Sequence, residues 1–203
     1  RSSGTDNTAV GFGALAALTS GGKNTSMGIS ALTANTSGSL NTAIGESALN
    51  SNTSGGNNIG IGSESMKFNT TGGFNVGVGN GAIAYNTSGT YNTSLGYDAG
   101  KSPVNAGQFN QTGTYNLYLG SLTRAAGNGN NTNEIVIGAQ ADGNGSNSVT
   151  LGNGSITKTI LRANVGVGTT APDSALTVVN GAYFQRGIRA SGLPSAPGAR
   201  ALR

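Results

Sequence analysis

The feature that most constrains this chain is a repeat. Asn7, Asn24, Asn41, Asn58, Asn75 and Asn92 stand 17 residues apart, and Gly11, Gly28, Gly45, Gly62, Gly79 and Gly96 keep the same interval. They bracket the unit N-T-A-(V/I)-G, as in Asn41-Thr42-Ala43-Ile44-Gly45. A small residue and then an apolar one follow each Gly, as in Ala31-Leu32 and Ala48-Leu49. A second motif, N-T-S/T-G, begins at Asn35, Asn52, Asn69 and Asn86 and closes on Gly38, Gly55, Gly72 and Gly89, which is turn chemistry. Fixed-period self-similarity of this kind points to stacked supersecondary units.

Past Gly96 the spacing loosens. Asn116-Leu117-Tyr118-Leu119-Gly120 arrives after 24 residues, a unit with a seven-residue insertion, and Glu134–Gly138, Ser148–Gly152 and Asn164–Gly168 follow after 18, 14 and 16. Ten units are present in all. Counting from the unit Asn, the second and fourth positions carry the larger apolar or β-branched side chains, as in Ile59/Ile61 and Val76/Val78, with small residues between. This period-two alternation predicts half-buried strands. No sustained 3.6-residue period exists, and Gly, at 36 of 203 residues, recurs too often for long helices.

The expected fold is therefore all-β: a parallel β-solenoid or β-roll of about ten coils of 14–24 residues, with residues 1–168 as the repetitive shaft. One unit cannot bury enough apolar surface to offset the entropy of ordering it, so stacking and other chains must supply the remainder. Aliphatic and aromatic residues make up only 35% of the chain, which makes a single-chain core thin and a homo-oligomer sharing an interior the expected solution. Asn7, Asn24, Asn41, Asn58, Asn75, Asn92 and Asn116 are expected to form a structural ladder, each amide bonding the next along the strand-spacing direction.

Composition removes most chemistry. Cys and His are absent, which excludes thiol nucleophiles, disulfides, Cys/His zinc sites and Ser-His-Asp triads. No metal, cofactor or enzymatic activity is expected. Most of the net charge of +4 comes from the tail, where Arg186, Arg189, Arg200 and Arg203 face only Asp173, so no basic groove for nucleic acid is expected. No apolar run is long enough to insert in a membrane. The start at Arg1 reads as a fragment or a processed product.

Ser148-Val149-Thr150-Leu151-Gly152-Asn153-Gly154-Ser155 resembles the parallel β-roll of trimeric autotransporter adhesin heads. The 17-residue N-T-A-I-G…A-L…N-T-S-G units resemble the repetitive shafts of phage tail fibres and related bacterial trimeric fibres. Asn164-Val165-Gly166-Val167-Gly168-Thr169-Thr170-Ala171-Pro172, followed by Ala175-Leu176-Thr177-Val178, resembles the junction to a distal module. Residues 169–203 are accordingly expected to be a β-rich junction leading to a module missing from this chain. The resemblance implies a homotrimer outside the cell, on a cell surface or a virion tail, engaging a host or cell-surface receptor such as a glycan.

Two aromatic columns are candidates for that contact. Phe74, Tyr91 and Tyr115 precede the unit Asn, and Phe68 and Tyr85 precede the N-T-S/T motif; stacked rings serve either as a platform for sugar faces or as a packing ladder. Phe109, in the insertion between Lys101 and Tyr115, is a further candidate for an exposed contact. Two other functions remain open. A column of Thr8, Thr25, Thr42 and Thr93 fits ice or crystal binding but breaks at Ile59 and Val76. Glu46, Glu64 and Asp98 are the carboxylates available to a polysaccharide-degrading tailspike, but Glu46 and Glu64 fall in adjacent columns that point apart.

Overall fold

A computed structural model describes residues 3–101, 111–127, 129–161, 165–167, 169–172 and 176–178. No helix occurs among them. Two compact units are present, Arg1–Thr157 and Lys158–Arg203. The first is a β-solenoid of three-residue strands: β1 Thr8–Val10, β2 Thr25–Met27, β3 Thr42–Ile44, β4 Ile59–Ile61, β5 Val76–Val78, β6 Thr93–Leu95, β7 Leu117–Leu119, β8 Ile135–Ile137 and β9 Val149–Leu151. They form one parallel sheet in strict chain order, with Thr8 opposite Thr25, Thr25 opposite Thr42 and so on along the ladder. The seven-residue insertion leaves the register intact, since Thr93 pairs with Leu117 and Leu95 with Leu119. In the second unit, β10 Val165–Val167 pairs in parallel with β11 Leu176–Val178.

Left-handed corners turn each rung. Among the described residues, twenty non-glycine residues have positive φ, and they fall in three columns. One precedes the unit Asn (Lys23, Leu40, Asn57, Phe74), one follows two residues after the unit Gly (Ser30, Ser47, Glu64, Asp98), and one is the buried apolar position itself (Leu15, Leu32, Leu49, Met66, Ile83). A left-handed residue with a Cβ costs about 1–2 kcal/mol. Full burial of Leu32, Leu49 and Met66 offsets that cost at the third column. At the unit Gly a side chain is excluded outright: Gly45 has φ 129°, and a Cβ there would lie 2.6 Å from the carbonyl of Gly62.

The strands face opposite to the usual expectation. Their central residues point inward, with Ser26, Ala43, Ser94 and Val136 fully buried, while the larger second and fourth positions point outward. The lumen of a 17-residue coil is narrow, and the Leu32–Leu49–Met66–Ile83 column already occupies it, so only small residues fit opposite. Where the column drops to Gly100, the centre of the following strand is Tyr118; a Cβ on Gly100 would sit 2.5 Å from that ring. Inward serines are satisfied locally, Ser26 Oγ donating to the Ala31 carbonyl at 2.9 Å and Ser94 Oγ to that of Ala99 at 2.7 Å.

Candidate functional site

Two asparagine columns run through the lumen. In the first, the side-chain amide of Asn24 donates to Asn7 Oδ1 at 3.0 Å, Asn58 to Asn41 at 3.1 Å, Asn75 to Asn58 at 3.1 Å, Asn92 to Asn75 at 3.1 Å and Asn116 to Asn92 at 3.1 Å. The backbone N–H of each later Asn donates to the same oxygen, at 2.9 Å for Asn41 onto Asn24. The second column, Asn35, Asn52, Asn69 and Asn86, is linked at 2.7–2.9 Å. The columns meet at the closing glycines: Gly72 O accepts from both Asn58 and Asn69, and Gly55 O from Asn41 and Asn52. Every amide points the same way along the stack, so each rung's orphan backbone donors are met by the rung before it.

The first column ends at Glu134, which replaces Asn in the eighth unit and is fully buried. Its N–H still donates to Asn116 Oδ1 at 2.8 Å, but a carboxylate has nothing to pass on. The side chain instead accepts from Ala126 N at 3.2 Å, Gly145 N at 2.9 Å, Asn131 Nδ2 at 3.0 Å and the Tyr118 hydroxyl at 3.2 Å. Burial, and then the adjacent carboxylate, push the Tyr118 phenol well above its ordinary range. The repeat motif gave no hint of this hub, because Glu134 departs from it; its only sequence signal is that it stands in the Asn column.

The aromatic columns lie on the outside. Phe74, Tyr91 and Tyr115 stack with centroids 4.9 and 5.0 Å apart and planes within 7°, each with a left-handed backbone and about half exposed. At that spacing no sugar ring fits between two faces, since each contact needs roughly 3.5–4.0 Å. Phe68 and Tyr85 stack at 5.5 Å, and they line an open cleft of about 570 Å³ together with Ser51, Thr70 and Thr87. Phe109 lies outside the described residues.

The carboxylates do not form a catalytic pair in the described geometry. Glu46 and Glu64 are linked only through backbone, Glu64 N–H to Glu46 O at 2.8 Å. The Lys67 ammonium, 2.7 Å away, holds the Glu64 carboxyl below its usual range, the opposite of what a general acid needs. Asp98 is paired with Lys101 at 2.9 Å, and that bond raises the lysine. No group of three or more metal-ligating side chains occurs among the described residues.

An apolar stripe runs along the outer face of the sheet. Its fourth-position column is apolar in all nine strands: Val10, Met27, Ile44, Ile61, Val78, Leu95, Leu119, Ile137 and Leu151. Val10, Leu95 and Leu151 are 54%, 48% and 55% exposed. Beside it run Thr8, Thr25, Thr42, Ile59, Val76, Thr93, Leu117, Ile135 and Val149, so the threonines weighed for crystal binding share an outward face with large aliphatics. Nine rungs at the strand spacing make this stripe about 40 Å long. Comparison with known proteins finds no family model that matches the chain, no matching curated protein and no matching solved structure.

Proposed function

We propose that this chain is a structural and adhesive segment of an extracellular homotrimeric fibre, of a phage tail or a bacterial surface, that presents receptor-binding columns. The observation that carries the reading is the unbroken apolar stripe on the outer sheet face. A contiguous apolar surface of this length marks an interaction site. A second copy of the same chain is the natural cover, because its rungs repeat at the same interval and present like against like. Adhesion then works by multivalency: three chains carry the same columns, and weak single contacts are multiplied by effective concentration.

Sedimentation equilibrium at micromolar concentration is expected to give three times 19.9 kDa. The double variant Ile44→Asp/Leu95→Asp places charges in the stripe and is expected to yield monomers that keep the β signal in far-UV circular dichroism. A wild-type monomer with the stripe intact would overturn the reading. The alternative of ice or crystal binding has one feature in its favour, the register-perfect column Thr19, Thr36, Thr53, Thr70 and Thr87. Their hydroxyls are donated to the next rung's carbonyls at 2.8–3.2 Å, which holds the column in a regular row. Thermal hysteresis in the wild type, lost in Thr53→Val/Thr70→Lys, would favour it.

A further inference from the structure

Five Asn–Gly dipeptides stand in the sequence, at Asn80, Asn128, Asn144, Asn153 and Asn180. In such a pair the glycine nitrogen can attack the side-chain amide carbon of the asparagine, because the five-membered ring that forms meets no side chain on the glycine. Ammonia is lost, and water then opens the ring. The attack needs a side-chain amide free to turn onto the backbone and a glycine N–H whose proton has somewhere to go. Asn128 and Asn180 lie outside the described residues. The other three differ in which of the two requirements the solenoid leaves open.

At Asn80 the nucleophile is held. Gly81 N–H donates to the Ser63 carbonyl at 2.9 Å, and the Asn80 carbonyl accepts from Asp98 N–H at 2.8 Å, so both flanks of the dipeptide belong to the rung-to-rung ladder. A carbonyl fixes that proton but is too weak a base to take it. At Asn153 the side chain is held instead: Nδ2 donates to the Ala139 carbonyl at 2.8 Å, and Oδ1 accepts from Ser155 N–H at 2.9 Å. Asn144 meets both requirements. It is exposed, and its side chain makes no hydrogen bond among the described residues. Its neighbour Gly145 donates its N–H to Glu134 Oε1 at 2.9 Å, the shortest of the bonds which that carboxylate accepts. Glu134 is fully buried, and its other donors, Ala126 N–H, the Asn131 amide and the Tyr118 hydroxyl, are neutral. A proton acceptor therefore sits within general-base reach of the attacking nitrogen. The turn is pinned at both ends, Gly143 N–H on the Arg124 carbonyl at 2.8 Å and Asn147 N–H on that of Thr132 at 3.0 Å. Over the dipeptide it is open, since Gly145, at φ 97°, has no atom within 4 Å of the place a Cβ would take.

We infer that Asn144–Gly145 is a self-modifying site, a deamidation centre in which the buried Glu134 carboxylate is the general base. Glu134 takes the Gly145 proton as the bond from that nitrogen to Asn144 Cγ forms, and returns it to Nδ2 as the Cγ–Nδ2 bond breaks. Ammonia leaves, the carboxylate is restored, and water opens the succinimide at either carbonyl to give aspartate or isoaspartate. No oxidant or cofactor enters. Either product adds a negative charge to the turn that packs on Glu134, and isoaspartate also lengthens the backbone by one atom between β8 and β9. The reaction needs neither a trimer nor a receptor, so it stands apart from the function proposed above.

The full chain, folded and in guanidinium chloride, is kept at neutral pH for several days while peptide mass spectrometry follows conversion at each Asn–Gly pair. Asn144 in the folded chain is expected to convert at least fivefold faster than Asn80 and Asn153, and at least fivefold faster than Asn144 in the unfolded chain, where the base is absent. Folding alone slows such a reaction by holding the backbone still, so acceleration over the unfolded chain is a readout that a merely structural Glu134 would not move. In Glu134→Gln, shown to be folded by far-UV circular dichroism, the rate at Asn144 is expected to fall at least fivefold while that at Asn153 is unchanged. The comparison of folded with unfolded wild type holds whether or not this variant folds. A folded rate at Asn144 no higher than the unfolded one overturns the inference, as does a folded Glu134→Gln that converts there as fast as the wild type.

Discussion

Asn58 uses every valence of its side chain. Nδ2 donates to Asn41 Oδ1 at 3.1 Å and to Gly72 O at 2.9 Å, while Oδ1 accepts from the backbone and side chain of Asn75 at 3.0 and 3.1 Å. Asn58→Ala strands the buried Asn75 N–H and one lumen carbonyl contact, and at about 1–3 kcal/mol for each unmet group the loss of stability is expected to be roughly 2–4 kcal/mol, read from the urea midpoint. Asn58→Asp is expected to be worse at neutral pH, because an anion then faces Asn41 Oδ1, and to recover partly on acidification as the carboxyl regains a proton to donate. Tyr118 gives the opposite pH signature. Its folded phenol holds a proton well above the ordinary value of 10.0, chiefly through burial. Above that pH the unfolded chain releases a proton that the folded chain keeps, so stability present in full below pH 10 is lost as pH rises, by up to about 1.4 kcal/mol per pH unit. Urea titrations between pH 9 and 11 are expected to show this slope in the wild type and a flatter one in Tyr118→Phe, which starts lower by about 1 kcal/mol through loss of the bond to Glu134.

At the scale of one rung, volume is conserved across the lumen. Leu32, Leu49, Met66 and Ile83 face small strand centres, and where Gly100 leaves the column empty the ring of Tyr118, on the next rung, fills its place. Tyr118→Ala alone is expected to cost about 3–5 kcal/mol by leaving a cavity. Gly100→Leu alone collides with the ring. Gly100→Leu/Tyr118→Ala restores the pattern of the earlier rungs, and thermal melts are expected to show the double variant more stable than the sum of the single changes by at least about 1 kcal/mol. The strands were legible in the sequence because Asn and Gly bracket the first six of them at a fixed period, and the Asn spacing marks the column at Asn7 to Asn116. Which way the strands face was not legible. Alternation reports two faces, and burial is assigned by habit to the larger side chains, whereas Ile59 and Ile61 turn outward here and Gly60 turns in, where a Cβ would lie 3.3 Å from Leu49 and 3.5 Å from Met66. The left-handed backbone under Phe74, Tyr91 and Tyr115 was equally hidden, since the turn glycines Gly72, Gly89 and Gly113 stand two residues earlier and aromatic residues rarely take that conformation.

Across the first compact unit, each described strand contacts only the strands before and after it, so stability is close to a sum of rung and interface terms. Deletion of residues 41–57 joins Leu40 to Asn58 and preserves every column, so the variant is expected to keep its β signal and to melt within several degrees of the wild type. Deletion of Ala43 alone reverses the faces of one strand and is expected to abolish cooperative melting, as differential scanning calorimetry would show. The same regularity limits what such a coil can do as a spacer. Seventeen residues advance the ladder by a single interstrand gap of about 4.8 Å, or roughly 0.3 Å of axial rise per residue, against about 1.5 Å for a helix and 3.3 Å for an extended strand. Polypeptide spent this way gains girth and stiffness instead of length: its yield is a tall grid of evenly pitched side chains, better suited to reading a periodic surface than to reaching a distant one.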